Sequence, residues 1–160
     1  MKDKDEKKVN PLITTHREAR RDYHVLETFE TGIVLVGCEV KSLREGQSSL
    51  AGSFARFEGE ELVLCNLYIP PYAMGNRENP DPRRERKLLL HRSQLSKLMA
   101  KTQEKGLTLI PLKMYFNDHG IAKVELALCK GKTHGDQRED IKKRAAGRDM
   151  DRAMKNKNRR

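Results

Sequence analysis

Apolar and polar residues alternate with a period of two through most of the middle of the chain. Period two places successive side chains on opposite faces of a strand. The runs at 23–28 and 32–37 predict two strands joined through Glu30, Thr31 and Gly32. Residues 54–58 and 61–69 predict a hairpin across Glu58-Gly59-Glu60, stopped at Pro70-Pro71 because proline cannot donate to a ladder. Residues 108–116 and 121–130 predict a last hairpin across Asn117-Asp118-His119-Gly120, giving six strands. Two segments break the alternation. Residues 39–45 predict a short helix closed by Gly46, and 91–105 carry Leu95, Leu98 and Met99 at helical spacing before Gly106. Short antiparallel strands with two or three inserted helices predict a mainly β fold. The expected form is a small closed antiparallel barrel of the oligonucleotide-binding kind.

The ends of the chain lack such a pattern. Residues 1–14 are dense in lysine and acid and reach Asn10-Pro11, so they are expected to be a flexible N-terminal arm. Residues 131–160 have no aromatic residue and only Ile141, Ala145, Ala146, Met150, Ala153 and Met154 as apolar ones, too few to build a core. The predicted organisation is therefore an arm over 1–14, a barrel domain over 15–130 and a basic tail over 131–160.

Charge changes this picture into a functional one. Of a net charge of +10, residues 130–160 carry +7, from 12 basic and five acidic side chains. Such a balance implies a polyanionic partner, with nucleic acid first. No apolar run approaches the length that spans a bilayer, and no apolar stretch follows the N-terminus, so neither membrane insertion nor secretion is expected. Cys38, Cys65 and Cys129 are odd in number and widely spaced, which fits buried thiols in a reducing, cytoplasmic setting.

Catalytic and metal chemistry finds little support. Gly131-Lys132-Thr133 resembles the end of a phosphate-binding loop, but the glycine required earlier in that motif is Leu126 here. The histidines at 16, 24, 91, 119 and 134 have no metal-ligand spacing, and neither do the cysteines. Ser48, Ser49 and Ser53 lie in a polar turn without a nucleophile-elbow pattern. Asp136, Glu139 and Asp140 sit among lysines and arginines that serve as their counter-ions. No enzyme, metal or cofactor is expected.

Three basic clusters remain: Arg17, Arg20 and Arg21 before Tyr23; Arg83, Arg84, Arg86 and Lys87; and Lys130, Lys132 and the tail. Clustered cations repel one another until a phosphate backbone relieves them. Wound as a helix, the tail sets Arg144, Arg148, Arg152 and Lys155 on one stripe, with Ala146, Met150, Ala153 and Met154 opposite. Gly147 costs such a helix about 1 kcal/mol relative to alanine. The tail is therefore expected to be disordered when free and helical when bound, in a narrow channel lined by RNA.

Motifs along nearly the whole chain carry a resemblance. Glu18-Ala-Arg-Arg-Asp-Tyr23, Leu26-Glu-Thr-Phe-Glu-Thr-Gly32, Glu39-Val-Lys-Ser-Leu-Arg44, Asp81-Pro-Arg-Arg-Glu-Arg-Lys-Leu-Leu-Leu90, Gly106-Leu-Thr-Leu, Lys123-Val-Glu-Leu-Ala and Lys130-Gly-Lys resemble the bacterial SsrA-binding protein (SmpB) family. The resemblance implies a barrel that binds the tRNA-like domain of transfer-messenger RNA and delivers it to stalled ribosomes in trans-translation. It implies as partners that RNA, small-subunit ribosomal RNA, the 70S ribosome and, through the charged RNA, elongation factor Tu; a monomer suffices. Glu30, Leu89 and Lys123 match family positions implicated in binding the RNA. Around them Arg20, Arg21, Tyr23, Lys41, Arg44, Arg83, Arg84, Arg86, Lys87, Lys130 and Lys132 are candidate contacts.

Each of the three has a plain structural alternative: Leu89 as core, Glu30 as a turn cap, Lys123 as an outward strand residue. Tyr23, Phe29 and Tyr72 are candidate stacking platforms, with core packing as the alternative. In the tail, Asp136-Gln-Arg138 and Ile141-Lys-Lys-Arg144 resemble the family segment that enters the decoding centre and the empty messenger channel. His134, Asp136, Gln137, Arg138, Lys142, Lys143, Arg144, Arg148, Arg152 and Met154 are its candidate contacts. The family's aromatic or histidine directly before Asp136 is Gly135 here, and Gln137 replaces its lysine. A structural or assembly protein of the ribosome built on the same barrel is the alternative reading.

Overall fold

A computed structural model describes residues 11–75, 77 and 79–158. Its strands are β1 (Leu12–Thr15), β2 (Tyr23–Ile33), β3 (Phe54–Glu58), β4 (Glu61–Cys65), β5 (Arg86–Leu89), β6 (Leu107–Phe116) and β7 (Ala122–Gly131). Its helices are α1 (Ala19–Asp22), α2 (Gly37–Arg44), α3 (Arg92–Thr102) and α4 (His134–Lys157). All strand pairings are antiparallel. They run β6-β3-β4-β5-β2-β7 and return to β6, while β1 lies along the far half of β6. The ring is uneven. β2–β7 and β6–β7 are long ladders, whereas β3–β6 meet at one residue pair and β2–β5 at two.

The interior follows from strand alternation. Leu109, Met114, Val124, Leu126 and Leu128 join Leu62, Leu64 and Leu88 in one buried cluster, to which α3 contributes Leu98. The opposite faces of β6 and β7 carry Ile110, Leu112, Ala127 and Cys129, which pack beneath Ala19 of α1 and half-buried Tyr23, Val25 and Phe54. That double coverage explains why 126–129 is apolar without interruption. Burial raises the Cys129 thiol to about 11, which keeps it neutral as a packing group. Pro111 is accommodated in β6 at an irregularity of the ladder between Pro111 and Lys113.

The structure revises four expectations. Residues 23–33 form one strand, so Glu30 lies within a ladder rather than at a turn, and Gly37 opens a helix rather than ending a strand. The β4 strand ends at Cys65, where Asn66 turns with φ of 61°, short of the expected 69. Two short strands and a one-turn helix join the expected elements, giving seven strands among the described residues. Four-residue β1 and β5 are too short for alternation to stand out in sequence. Finally, Leu12–Thr15 pairs with β6, which moves the start of the folded domain into the expected arm; residues 1–10 of that arm lie outside the described residues.

Candidate nucleic-acid interface

Register across the two long ladders assembles the site. Gly32 pairs with Leu89 on β5 and with Lys123 on β7, and Lys123 pairs with Tyr115 on β6. Leu89, Gly32, Lys123 and Tyr115 thus form one row across four strands. The next row of the same face holds Glu30, Glu125 and Lys113. Glu30, Leu89 and Lys123, widely separated in sequence, therefore come together on one face. Leu89 is 49% exposed, so the core alternative for it is set aside. Gly32 permits the approach: a Cβ there would meet Leu89 Cβ at 3.3 Å.

Tyr115 completes this face, and sequence reasoning missed it. Its hydroxyl donates to Glu30 Oε2, and Lys113 Nζ lies 5.6 Å from its ring centroid while pairing with Glu125 at 3.5 Å. Burial, reinforced by the hydrogen bond to Glu30, pushes the Tyr115 phenol above its ordinary value, so it remains a donor. The outward register of 113, 115, 123 and 125 was the available signal. A carboxylate on such a face repels phosphate; its natural ligands are base amino groups and ribose hydroxyls. Lys123 suits phosphate and Leu89 a base or ribose face.

The cluster at 83–87 divides. Arg86 is fully buried, and this corrects its expected role as an RNA contact. Its guanidinium donates to Glu39 Oε1 at 3.1 and 3.2 Å and to the carbonyls of Leu67, Pro82 and Arg84 at 2.7, 3.1 and 3.1 Å, leaving no donor for phosphate. Arg84 is half-buried and donates to Glu39 at 2.6 and 2.9 Å. Burial alone would raise the Glu39 carboxyl, but the hydrogen bonds and charges of Arg84 and Arg86 outweigh it and hold Glu39 below its ordinary value. Arg83 stays exposed over the Tyr68 ring at 5.2 Å, and Lys87 stays exposed beside Glu61 at 2.6 Å.

The other candidates also separate by environment. Lys41 and Arg44 are exposed on α2, 5.7 Å from Tyr72 and 5.9 Å from Phe116, each by ring centroid. Arg20 and Lys130 are exposed, and Arg21 is paired locally with Asp22 at 3.0 Å. Tyr23 and Phe29 pack against apolar clusters, as their core alternative has it. The Lys132 side chain is only 6% exposed and is engaged internally.

Residues 134–157 form one helix. Thr133 caps it, accepting from the Asp136 amide at 3.2 Å while Asp136 accepts from the Thr133 amide at 3.1 Å. The Thr133 amide, followed by the Thr133 hydroxyl donating to the same Oδ2 at 2.9 Å, holds the Asp136 carboxyl below its ordinary value. His134 and Arg138 are exposed and Gln137 is half-buried. From Ile141 to Asn158 every residue is exposed, including Lys142, Lys143, Arg144, Arg148, Arg152 and Met154. No helix among the described residues is long and apolar enough to cross a membrane.

Comparison with known proteins follows the same lines. The family model described as SmpB protein matches residues 13–156. An SsrA-binding protein of Pelotomaculum thermopropionicum is 56% identical over 144 residues, covering 90% of this chain and 94% of the relative. An SsrA-binding protein of Thermus thermophilus is 54% identical over 139 residues, covering 87% and 96%. A solved chain described as "tmRNA-SmpB: a journey to the center of the bacterial ribosome" is 54% identical with a TM-score of 0.66, covering 82% of this chain and 94% of that one.

Proposed function

The chain belongs to the SmpB family, and from that premise we propose that it binds the tRNA-like domain of transfer-messenger RNA and delivers it to stalled ribosomes for trans-translation. The observation that carries this reading is the row in which Leu89, Gly32 and Lys123 lie side by side with Glu30 on the adjoining row. Such a face offers an apolar contact, a cation and a fixed acceptor together, which suits structured RNA with unpaired nucleotides better than a uniform duplex. Exposed Arg20, Arg83, Lys41, Arg44, Lys87 and Lys130 supply phosphate contacts around it.

The tail takes the second task. Its exposed arginine stripe at 144, 148 and 152 faces ribosomal RNA in the decoding centre and the empty messenger channel, with Met154 near the far end of the helix. An RNA-binding adaptor of this kind carries out no chemistry itself; the ribosome transfers the peptide, and elongation factor Tu accompanies the charged RNA. The adaptor works as a monomer in the cytoplasm. A thin apolar face and Gly147 make the tail helix marginal without its partner, so circular dichroism of a 131–160 peptide should show little helix in plain buffer.

The deciding experiment removes residues 131–160. Affinity for transfer-messenger RNA should stay within about threefold, because the rows on the barrel are untouched, while tagging of stalled peptides should be lost. Loss of RNA binding together with tagging would overturn the division of labour. Recovery of a random RNA mixture with the full-length protein at fixed, near-physiological salt would overturn the assignment of its RNA.

A further inference from the structure

Lys132 is a cation withdrawn from solvent at the place where the barrel gives way to the tail. Its Nζ donates to the Arg20 carbonyl at 3.0 Å and to Asp140 Oδ2, and its own amide donates to the Asp22 carbonyl at 2.9 Å. One residue thus joins three elements: the end of β7, the α1 turn and the second turn of α4. A second tie lies alongside, where His24 Nε2 of β2 is 3.6 Å from Asp136 Oδ2 in the first turn of α4. Beyond Asp140 the helix stands away from the barrel, since every residue from Ile141 to Asn158 is exposed. The tail therefore consists of an anchored stub, 134–140, and a free-standing remainder.

We propose that Lys132 is a positioning residue, clamping the start of α4 to the α1 turn through Asp140 and the Arg20 carbonyl so that the tail leaves the RNA-binding barrel in one direction. This reassigns Lys132 from phosphate contact to internal brace, and it rests on the reading that barrel and tail engage different RNAs. The physical case is geometric. A flexible junction would let the tail sample many directions, and only a small fraction of them would point into a narrow channel; fixing the stub removes that cost before the encounter. The surrounding groups agree with a clamp: Asp140 faces Lys132, with Arg144 as its further positive neighbour and the His24 imidazole nearby, and its carboxyl is held below the ordinary value chiefly by the Lys132 hydrogen bond.

The test uses full-length protein and the variants Asp140→Asn, Asp140→Lys and Lys132→Met. Spin labels are placed at Glu60 and Glu139, both exposed and the second within the anchored stub, in a Cys38→Ala background, and the distance distribution between them is measured by pulsed dipolar spectroscopy. A single narrow population is expected for the parent and a broad one for Asp140→Lys and Lys132→Met, with Asp140→Asn between. Tagging should fall about tenfold in the two severe variants while affinity for transfer-messenger RNA stays within about twofold. Two results overturn the clamp: a distribution that stays narrow in Asp140→Lys, or RNA affinity that falls in parallel with tagging in Lys132→Met, which would make Lys132 an RNA contact. The distance measurement needs no RNA, so it stands even if the functional reading of the tail fails.

Discussion

Two arginine-rich stretches look alike in sequence and behave as opposites in the folded chain. Within 83–87, Arg86 commits its guanidinium to Glu39 and three backbone carbonyls, and Arg84 shares the same carboxylate. Within 138–152, arginines stand in solvent; Arg148 reaches the Arg144 carbonyl at 3.3 Å and Arg152 lies 3.9 Å from Asp149. The first set ties α2 to the segment entering β5 and so holds Leu89 in its row. The second is available to a polyanion. A count of cations measures neither; what separates them is whether a carboxylate is buried within reach.

The largest effect that tests this contrast is Glu39→Gln. It leaves Arg86 charged in the interior without its anion, and about 3–5 kcal/mol of stability should be lost in urea denaturation. A loss below about 1 kcal/mol would mean that the carbonyls alone satisfy Arg86. The acid dependence follows the same pair. Glu39 is depressed from its ordinary value of 4.5, so its contribution is full above that pH and is lost as pH falls through the lower folded value. The parent should therefore lose stability below about pH 4.5 more steeply than Glu39→Gln does.

Replacing Arg144, Arg148 and Arg152 together by alanine should change stability by less than about 0.5 kcal/mol, since they are exposed. The same triple variant should reduce the salt dependence of ribosome association by about three counterions. An unchanged salt dependence would remove the tail stripe from the interface. The most local effect is at Gly147, where an added Cβ meets nothing within 4 Å. Gly147→Ala should favour the tail helix by about 1 kcal/mol, read as increased helicity of the tail peptide.

Much of this protein was written locally. Alternation in 108–116 and 121–130, the Asn117–Gly120 turn and the glycines after α2 and α3 each specify an element through short-range sterics, and those elements stand where expected. The uneven charge and the two-faced tail were equally visible, because both are properties of neighbouring residues. Continuity of β2 through Thr31 and Gly32 was not, since Thr31 sits in a strand by virtue of burial and of its hydroxyl bond to the Val124 carbonyl at 3.0 Å. Nor was the meeting of Glu30, Tyr115, Leu89 and Lys123, which depends on how the β6–β7 hairpin registers with β2 and β5, strands distant from it in sequence. The same holds for Arg86 and Lys132. Sequence determines that a side chain is cationic, but only the packed chain decides whether a carboxylate lies close enough to keep that charge inside, and so whether it braces the fold or meets a partner.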